Sequence, residues 1–189
     1  ELIEYPKYLR QILANRGFKD RNSAKAYLNA SEPLNDPFLL LNMEKVTKRL
    51  LTAIDQEEEI VVYGDYDVDG VSATALIVLV LQKYGAKVER YIPNRYDEGY
   101  GLNIESINLL AKKGVKIILT VDCGIRSPRE ADLARELGID LIISDHHHPK
   151  DELPNAFAVI CQKQEGDNYP CDDLAGVGLA FKIAQALFI

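Results

Sequence analysis

Three aspartates spaced two apart, Asp65, Asp67 and Asp69, stand in the stretch "VVYGDYDVDGVSATA", directly after an apolar run. Two more acids repeat that placement. Asp122 follows "VKIILTV", and Asp145 follows "IDLIIS" and leads into His146, His147 and His148, which are all the histidines of the chain. Carboxylates crowded together repel one another and take up protons unless a cation lies among them. Oxygen and imidazole donors together suit Mn2+, Mg2+ or Zn2+, and a set without thiolates speaks against a structural zinc site. Cys123 adjoins Asp122, but among so many oxygen donors it is a poor candidate ligand. Each of these residues also has a plain structural use. An aspartate at a strand end often caps the next helix, and Asp69, just ahead of Gly70, fits that role as well as it fits ligation. Capping is the weaker account for Asp65 and Asp67 together. Three histidines behind a buried strand and an aspartate fit ligation better than a solvated loop.

Strands and helices must bring these residues together. From residue 59 the sequence alternates short β-branched runs, "EIVVYG", "AKVERYI", "VKIILTV" and "IDLIIS", with helical stretches, and ends in a weaker strand "AFAVI" and a helix "LAGVGLAFKIAQALFI". Continuous apolar strands alternating with helices predict a mainly parallel sheet covered on both faces, a three-layer α/β/α domain. With strand order 2-1-3-4-5, strands one, three and four are neighbours, and the acids at their carboxyl ends converge on one crevice. The helix "GVSATALIVLVLQKYG" is apolar on most sides and is expected to be well buried. Ser127, with Pro128 and Glu130 behind it, reads as the N-cap of "SPREADLARELG".

Residues 1–55 read as a separate helical segment and 56–189 as the α/β domain. The segment holds "PKYLRQILANRG", ending on Gly17, and "NSAKAYLNA", with Asn22 or Ser23 as N-cap. A third helix, "NMEKVTKRLLTAID", carries Met43, Val46, Leu50 and Ile54 on one face.

The composition, with 47% hydrophobic residues, is that of a globular chain. No apolar run approaches the roughly 18 residues of a membrane span, and the first residues carry no signal-peptide core, so no membrane partner is expected. Three cysteines without a CxxC pair point to a reducing, cytoplasmic setting. A net charge of −7 counts against nucleic-acid binding by the simplest rule. The rule weakens where acids hold cations.

"GDYDVDG", "VDCG" and "SDHHHP" resemble the first three motifs of the DHH phosphoesterase family. "IPNRYDEGYGL" and "LAGVGLAFKIAQAL" resemble stretches of its single-strand-specific 5′→3′ exonucleases, so the likeness runs from about residue 35 to about 187. The resemblance implies that Asp65, Asp67, Asp122 and His146 are metal ligands. It implies that Asp145 orients His146 and that His147 sits near the scissile phosphate. It further implies two Mn2+ ions, with Mg2+ as a substitute, and hydrolysis of single-stranded DNA in repair and recombination. A single-strand-binding protein and a helicase are the implied partners. The resemblance departs at Tyr63, where many members carry a histidine. It also places a fourth-motif aspartate and further domains beyond Ile189, which makes this chain an expected N-terminal fragment with an incomplete site and doubtful activity on its own.

Arg95 and Arg126, from the loops after strands two and three, can pin a phosphate with a bidentate fork. Tyr96 and Tyr100 can stack on bases. Gly176 and Gly178 allow close backbone approach at a helix start, which suits either a phosphate or helix packing. Two other functions remain open at this stage. One is a family phosphodiesterase acting on short oligonucleotides or cyclic dinucleotides, whose first motif more often reads "PDGD". The other is a catalytically silent DHH scaffold, against which the intact ligand residues argue.

Overall fold

The computed structural model describes residues 2–30, 33–97, 99–150 and 152–189. Glu98, in the stretch after the second strand, lies outside the described residues. Five strands, β1 (Glu59–Tyr63), β2 (Lys87–Tyr91), β3 (Ile117–Val121), β4 (Asp140–Ser144) and β5 (Ala158–Ile160), pair in the order β2-β1-β3-β4-β5. Every pairing is parallel, as the alternation predicts. The inner strands read as unbroken apolar runs because successive side chains enter opposite layers. Ile60, Val62, Leu119 and Ile142 join the core on one face, and Val61, Tyr63, Ile118 and Ile143 that on the other. The edge strand β2 is only half-buried and exposes Lys87, Glu89 and Arg90, charges that discourage pairing with another chain.

Helices α3 (Met43–Asp55), α4 (Val68–Lys83) and α7 (Gly176–Leu187) cover the first face; α5 (Ile104–Lys112) and α6 (Pro128–Glu136) cover the second. Met43, Val46, Leu50 and Ala53 of α3 share a core with Ile60 and Val62. The compact units are accordingly Glu1–Asn35 and Asp36–Ile189, so the division falls earlier than the expected 55/56. An amphipathic helix must bury its apolar face, and here the sheet supplies the cover. The N-terminal unit holds α1 (Lys7–Asn15) and α2 (Arg21–Asn29) around Leu2, Leu13 and Ala24.

Three local expectations need correction. The cap of α2 is Asp20, whose carboxylate accepts from Asn22 N–H and Ser23 N–H at 2.9 and 3.0 Å, not Asn22 or Ser23. Ser127 occupies the N-cap position of α6 but its hydroxyl makes no capping bond, because its backbone (φ −115°, ψ 60°) is not extended. The apolar α4 is covered on one side only: Ile77 and Leu81 are buried, while Val68, Val71 and Leu79 face outward, since a helix in an outer layer meets its neighbours on one flank. Among the described residues no helix is long and apolar enough to cross a membrane.

Candidate metal centre

After β1 the chain turns hard against the start of α4. A Cβ on Gly64 would lie 1.9 Å from Thr74 Oγ1, and one on Gly70 would lie 2.7 Å from Asp65. Both contacts require glycine. The turn leaves Asp65 3% exposed. Asp67 Oδ1 accepts from Asp69 N–H at 2.9 Å and Gly70 N–H at 3.0 Å. Asp67 is therefore the cap of α4, a role that the sequence offered to Asp69. Asp69 instead reaches α7, accepting from Gly176 N–H at 2.8 Å and Val177 N–H at 2.7 Å.

At the end of β3, Asp122 is 2% exposed and has φ 61°. Aspartate tolerates this left-handed conformation better than most residues, and it aims the side chain away from the strand's ordinary alternation. Cys123 faces the opposite layer, where its Sγ donates to the Tyr63 carbonyl at 3.8 Å and burial pushes the thiol pKa well up. It is not placed to ligate.

At the end of β4, Asp145 is 1% exposed and ties two loops together. Oδ2 accepts from Ile125 N–H at 2.9 Å; Oδ1 accepts from His147 N–H at 3.1 Å and lies 2.7 Å from His147 Nδ1. Asp145 thus orients His147, not His146 as expected. An aspartate at a turn captures the residue two places on, and here it captures both the backbone and the ring of that residue. His146 turns the other way. Its Nε2 lies 3.1 Å from Asp122 Oδ1 and 3.6 Å from Asp69 Oδ2. Among the described residues the His148 ring joins no group of clustered donors; its carbonyl accepts from Arg126 Nε at 3.0 Å.

Among the described residues two groups of donors result, Asp65–Asp67–Asp122 and Asp122–His146–His147, with the ligand atoms of each within 4.8 Å of one another. They share Asp122. Burial, then the charges of Asp69 and Asp67, pushes the Asp122 carboxyl up to about 7. Burial also raises Asp65 and, with His147 second, lowers His146. An imidazole held neutral keeps a lone pair for a metal. Among the described residues Asp65 Oδ1 is buried without a hydrogen-bond partner, and Asp122 Oδ1 meets only the His146 Nε2 contact at 3.1 Å, without an aligned hydrogen bond. Buried carboxylate oxygens short of donors and counter-charge are costly, and a hard divalent cation among oxygen and imidazole donors answers both needs. The donor set fits such an ion.

The DHH family's N-terminal domain matches residues 59–188. The chain belongs to the DHH family. It is 43% identical over 188 residues to the single-stranded-DNA-specific exonuclease RecJ of Bacillus subtilis strain 168, covering 99% of this chain and 24% of that protein. With RecJ of Escherichia coli K12 it shares 37% identity over 185 residues, covering 97% of this chain and 32% of that protein. It therefore spans about a quarter to a third of the length of these curated relatives. A crystal structure of exonuclease RecJ bound to manganese superposes with TM-score 0.74 at 34% identity, over 82% of this chain and 39% of the other. RecJ of Thermus thermophilus in complex with Mn2+ gives 0.73 at 30%, over 93% and 24%.

The remaining candidate residues of this DHH domain surround the acids. Arg95 lies over the Tyr66 ring, 5.3 Å from its centroid, and Tyr66 meets Tyr100 edge-on at 6.2 Å. The Tyr100 hydroxyl donates to the Asp122 carbonyl at 3.3 Å. Tyr96 is 94% exposed. Arg126 lines a cavity of roughly 360 Å3 with Tyr100, Asp145 and His147. The N–H groups at the start of α7 do not await a phosphate, because Asp69 holds them. A Cβ on Gly178 would meet Leu174 at 3.4 Å, an ordinary contact, so no close approach demands glycine there. The Tyr63 hydroxyl donates to the Gly101 carbonyl at 3.0 Å, its ring stacks on Tyr91, and so it braces the loop that carries Tyr100. The sequence did not disclose the α7 cap by Asp69, the close approach of Gly176 to Asp122, or Tyr66 in the aromatic group. The first two join residues far apart in the chain. The third had a signal, an aromatic between two acids of the first motif.

Proposed function

We propose that this chain is the metal-binding catalytic part of a RecJ-type exonuclease that hydrolyses single-stranded DNA from its 5′ end, with Mn2+ as cofactor and Mg2+ as substitute. The observation that carries this reading is the pair of donor groups sharing Asp122, with buried carboxylate oxygens short of hydrogen-bond donors among the described residues. Asp65, Asp67, Asp122 and His146 would hold the metal, while His147, the third donor of the second group, would keep its ring for the phosphate. When bound, a pair of divalent ions activates water and stabilises the leaving oxygen of an in-line displacement.

The chain's own residues supply position and proton placement. Asp145 at 2.7 Å fixes a proton on His147 Nδ1, which leaves Nε2 to face the scissile phosphate. Arg95, over the Tyr66 ring, and Arg126, in the cavity with Tyr100, hold neighbouring phosphates, and Tyr66 and Tyr100 offer ring faces to bases. Hydrolysis adds hydroxyl to phosphorus, breaks its bond to the 3′ oxygen, and returns a proton to that oxygen.

The test is Mn2+-dependent release of mononucleotides from single-stranded DNA by a longer natural protein containing this chain, beside the same protein carrying Asp67→Ala. Loss of release in the variant is expected. Cleavage only of dinucleotides or cyclic dinucleotides would move the reading to the family's phosphodiesterases. Metal binding without any hydrolysis would make the domain a scaffold.

A further inference from the structure

Asp69 stands apart from the other acids of the crevice, because both its oxygens are turned to the backbone of α7. Oδ2 accepts from Gly176 N–H and Oδ1 from Val177 N–H. Asp67, by contrast, takes both its capping bonds on Oδ1 alone. Asp69 is also absent from both donor groups among the described residues, although its Oδ2 lies only 3.6 Å from His146 Nε2. A carboxylate at a helix start is matched to unsatisfied N–H groups and to the positive end of the helix dipole. The charge of Asp69 is therefore met by α7.

The seat has a consequence for Asp122. With α7 held there, a Cβ on Gly176 would lie 2.7 Å from Asp122 Cβ and 2.8 Å from its Oδ1. The helix start is a wall against the acid that both groups share. Asp122 has φ 61°, and among the described residues its buried Oδ1 meets His146 Nε2 at 3.1 Å without an aligned hydrogen bond to hold it. A residue in that conformation persists only where its surroundings over-determine it.

We propose that Asp69 is a positioning residue: it seats the start of α7 against Asp122, and that contact, not ligation by Asp69, fixes the carboxylate common to the two donor groups. The proposal rests on the metal-site reading above and adds a part to it.

The experiment titrates the 189-residue chain with Mn2+ by calorimetry and follows amide exchange at Gly176 and Val177. The variants are Asp69→Ala, the milder Asp69→Asn, Gly176→Ala, and the double variant Asp69→Ala/Gly176→Ala. Asp20→Ala, which removes a helix cap in the N-terminal unit, is the control. Asp69→Ala should lose at least tenfold in Mn2+ affinity with the number of ions unchanged, and Asp69→Asn less. Both amides should exchange faster. Gly176→Ala should lose comparable affinity with Asp69 intact, and the double variant should be little worse than the worse single one, since both act on one contact. Asp20→Ala should bind as the parent does. If Asp69→Ala does not fold, Asp69→Asn and Gly176→Ala carry the comparison. Parental affinity in the Asp69 variants would overturn the proposal, and so would additive losses. Loss of a whole ion on changing Asp69 would make it a ligand. A parent chain that binds no Mn2+ would overturn the metal-site reading itself, and this inference with it.

Discussion

Replacing Asp122 by asparagine should stabilise the metal-free protein while abolishing its response to Mn2+. The carboxyl is pushed from its ordinary 3.8 up to about 7 by burial and by Asp69 and Asp67. Between those values the folded chain keeps a proton that the unfolded chain has released, so stability falls as pH rises through the window. Each pH unit costs about 1.4 kcal/mol, which sets a ceiling of about 4 kcal/mol by pH 8. Water entering the open crevice lowers that figure, and about 1–4 kcal/mol is expected. Asparagine is close in shape, tolerates φ 61° at least as well, and does not titrate. Metal-free Asp122→Asn should therefore match the parent near pH 4 and exceed it at pH 8. Mn2+ at a hundred times its dissociation constant should stabilise the parent by about 2.7 kcal/mol and leave the variant unmoved. Urea melts at both pH values, with and without Mn2+, measure all four quantities. A variant less stable than the parent at pH 8 without metal would refute the account of the acid crowding.

Three other outcomes are expected. His147→Ala should lower turnover about a hundredfold in the longer natural protein with Mn2+ affinity within about twofold; a large affinity loss would make His147 a ligand. Arg95→Ala should weaken single-strand binding and flatten its salt dependence by about 0.7 in log–log slope, the loss of one phosphate contact; an unchanged slope would put Arg95 off the DNA path. Tyr63→Phe should cost about 1–3 kcal/mol by leaving the Gly101 carbonyl without its donor, yet bind Mn2+ normally; a loss of metal affinity equal to that of Asp122→Asn would show that Tyr63 serves the site directly.

The sheet was legible because its rules are local and repetitive. Apolar runs ending in acids mark parallel strands whose carboxyl ends share a crevice, and the order β2-β1-β3-β4-β5 follows from that pattern. The gathering of Asp65, Asp67, Asp122 and His146 was legible for the same reason. What each acid does there was less so. Asp67 and Asp69 differ by two positions, and either could have capped α4; the choice was made by α7, whose start lies more than a hundred residues away. The partner of Asp145 was misread because neighbouring histidines look alike in sequence, whereas the turn offers the aspartate only the residue two places on.

Tyr63 shows the same limit from the other side. Set against the family pattern, a tyrosine for a histidine reads as a missing ligand. In the fold, β1 alternates its side chains between two layers, and Tyr63 falls in the layer of Val61, Ile118 and Cys123. Its hydroxyl reaches the loop that positions Tyr100. The acids stand beyond the strand end, where alternation no longer governs direction and glycine turns do. A residue inside the last pleat serves the core and the loop, and a residue past it serves the cation; the boundary between the two roles in this chain is Gly64, where a Cβ would collide with Thr74.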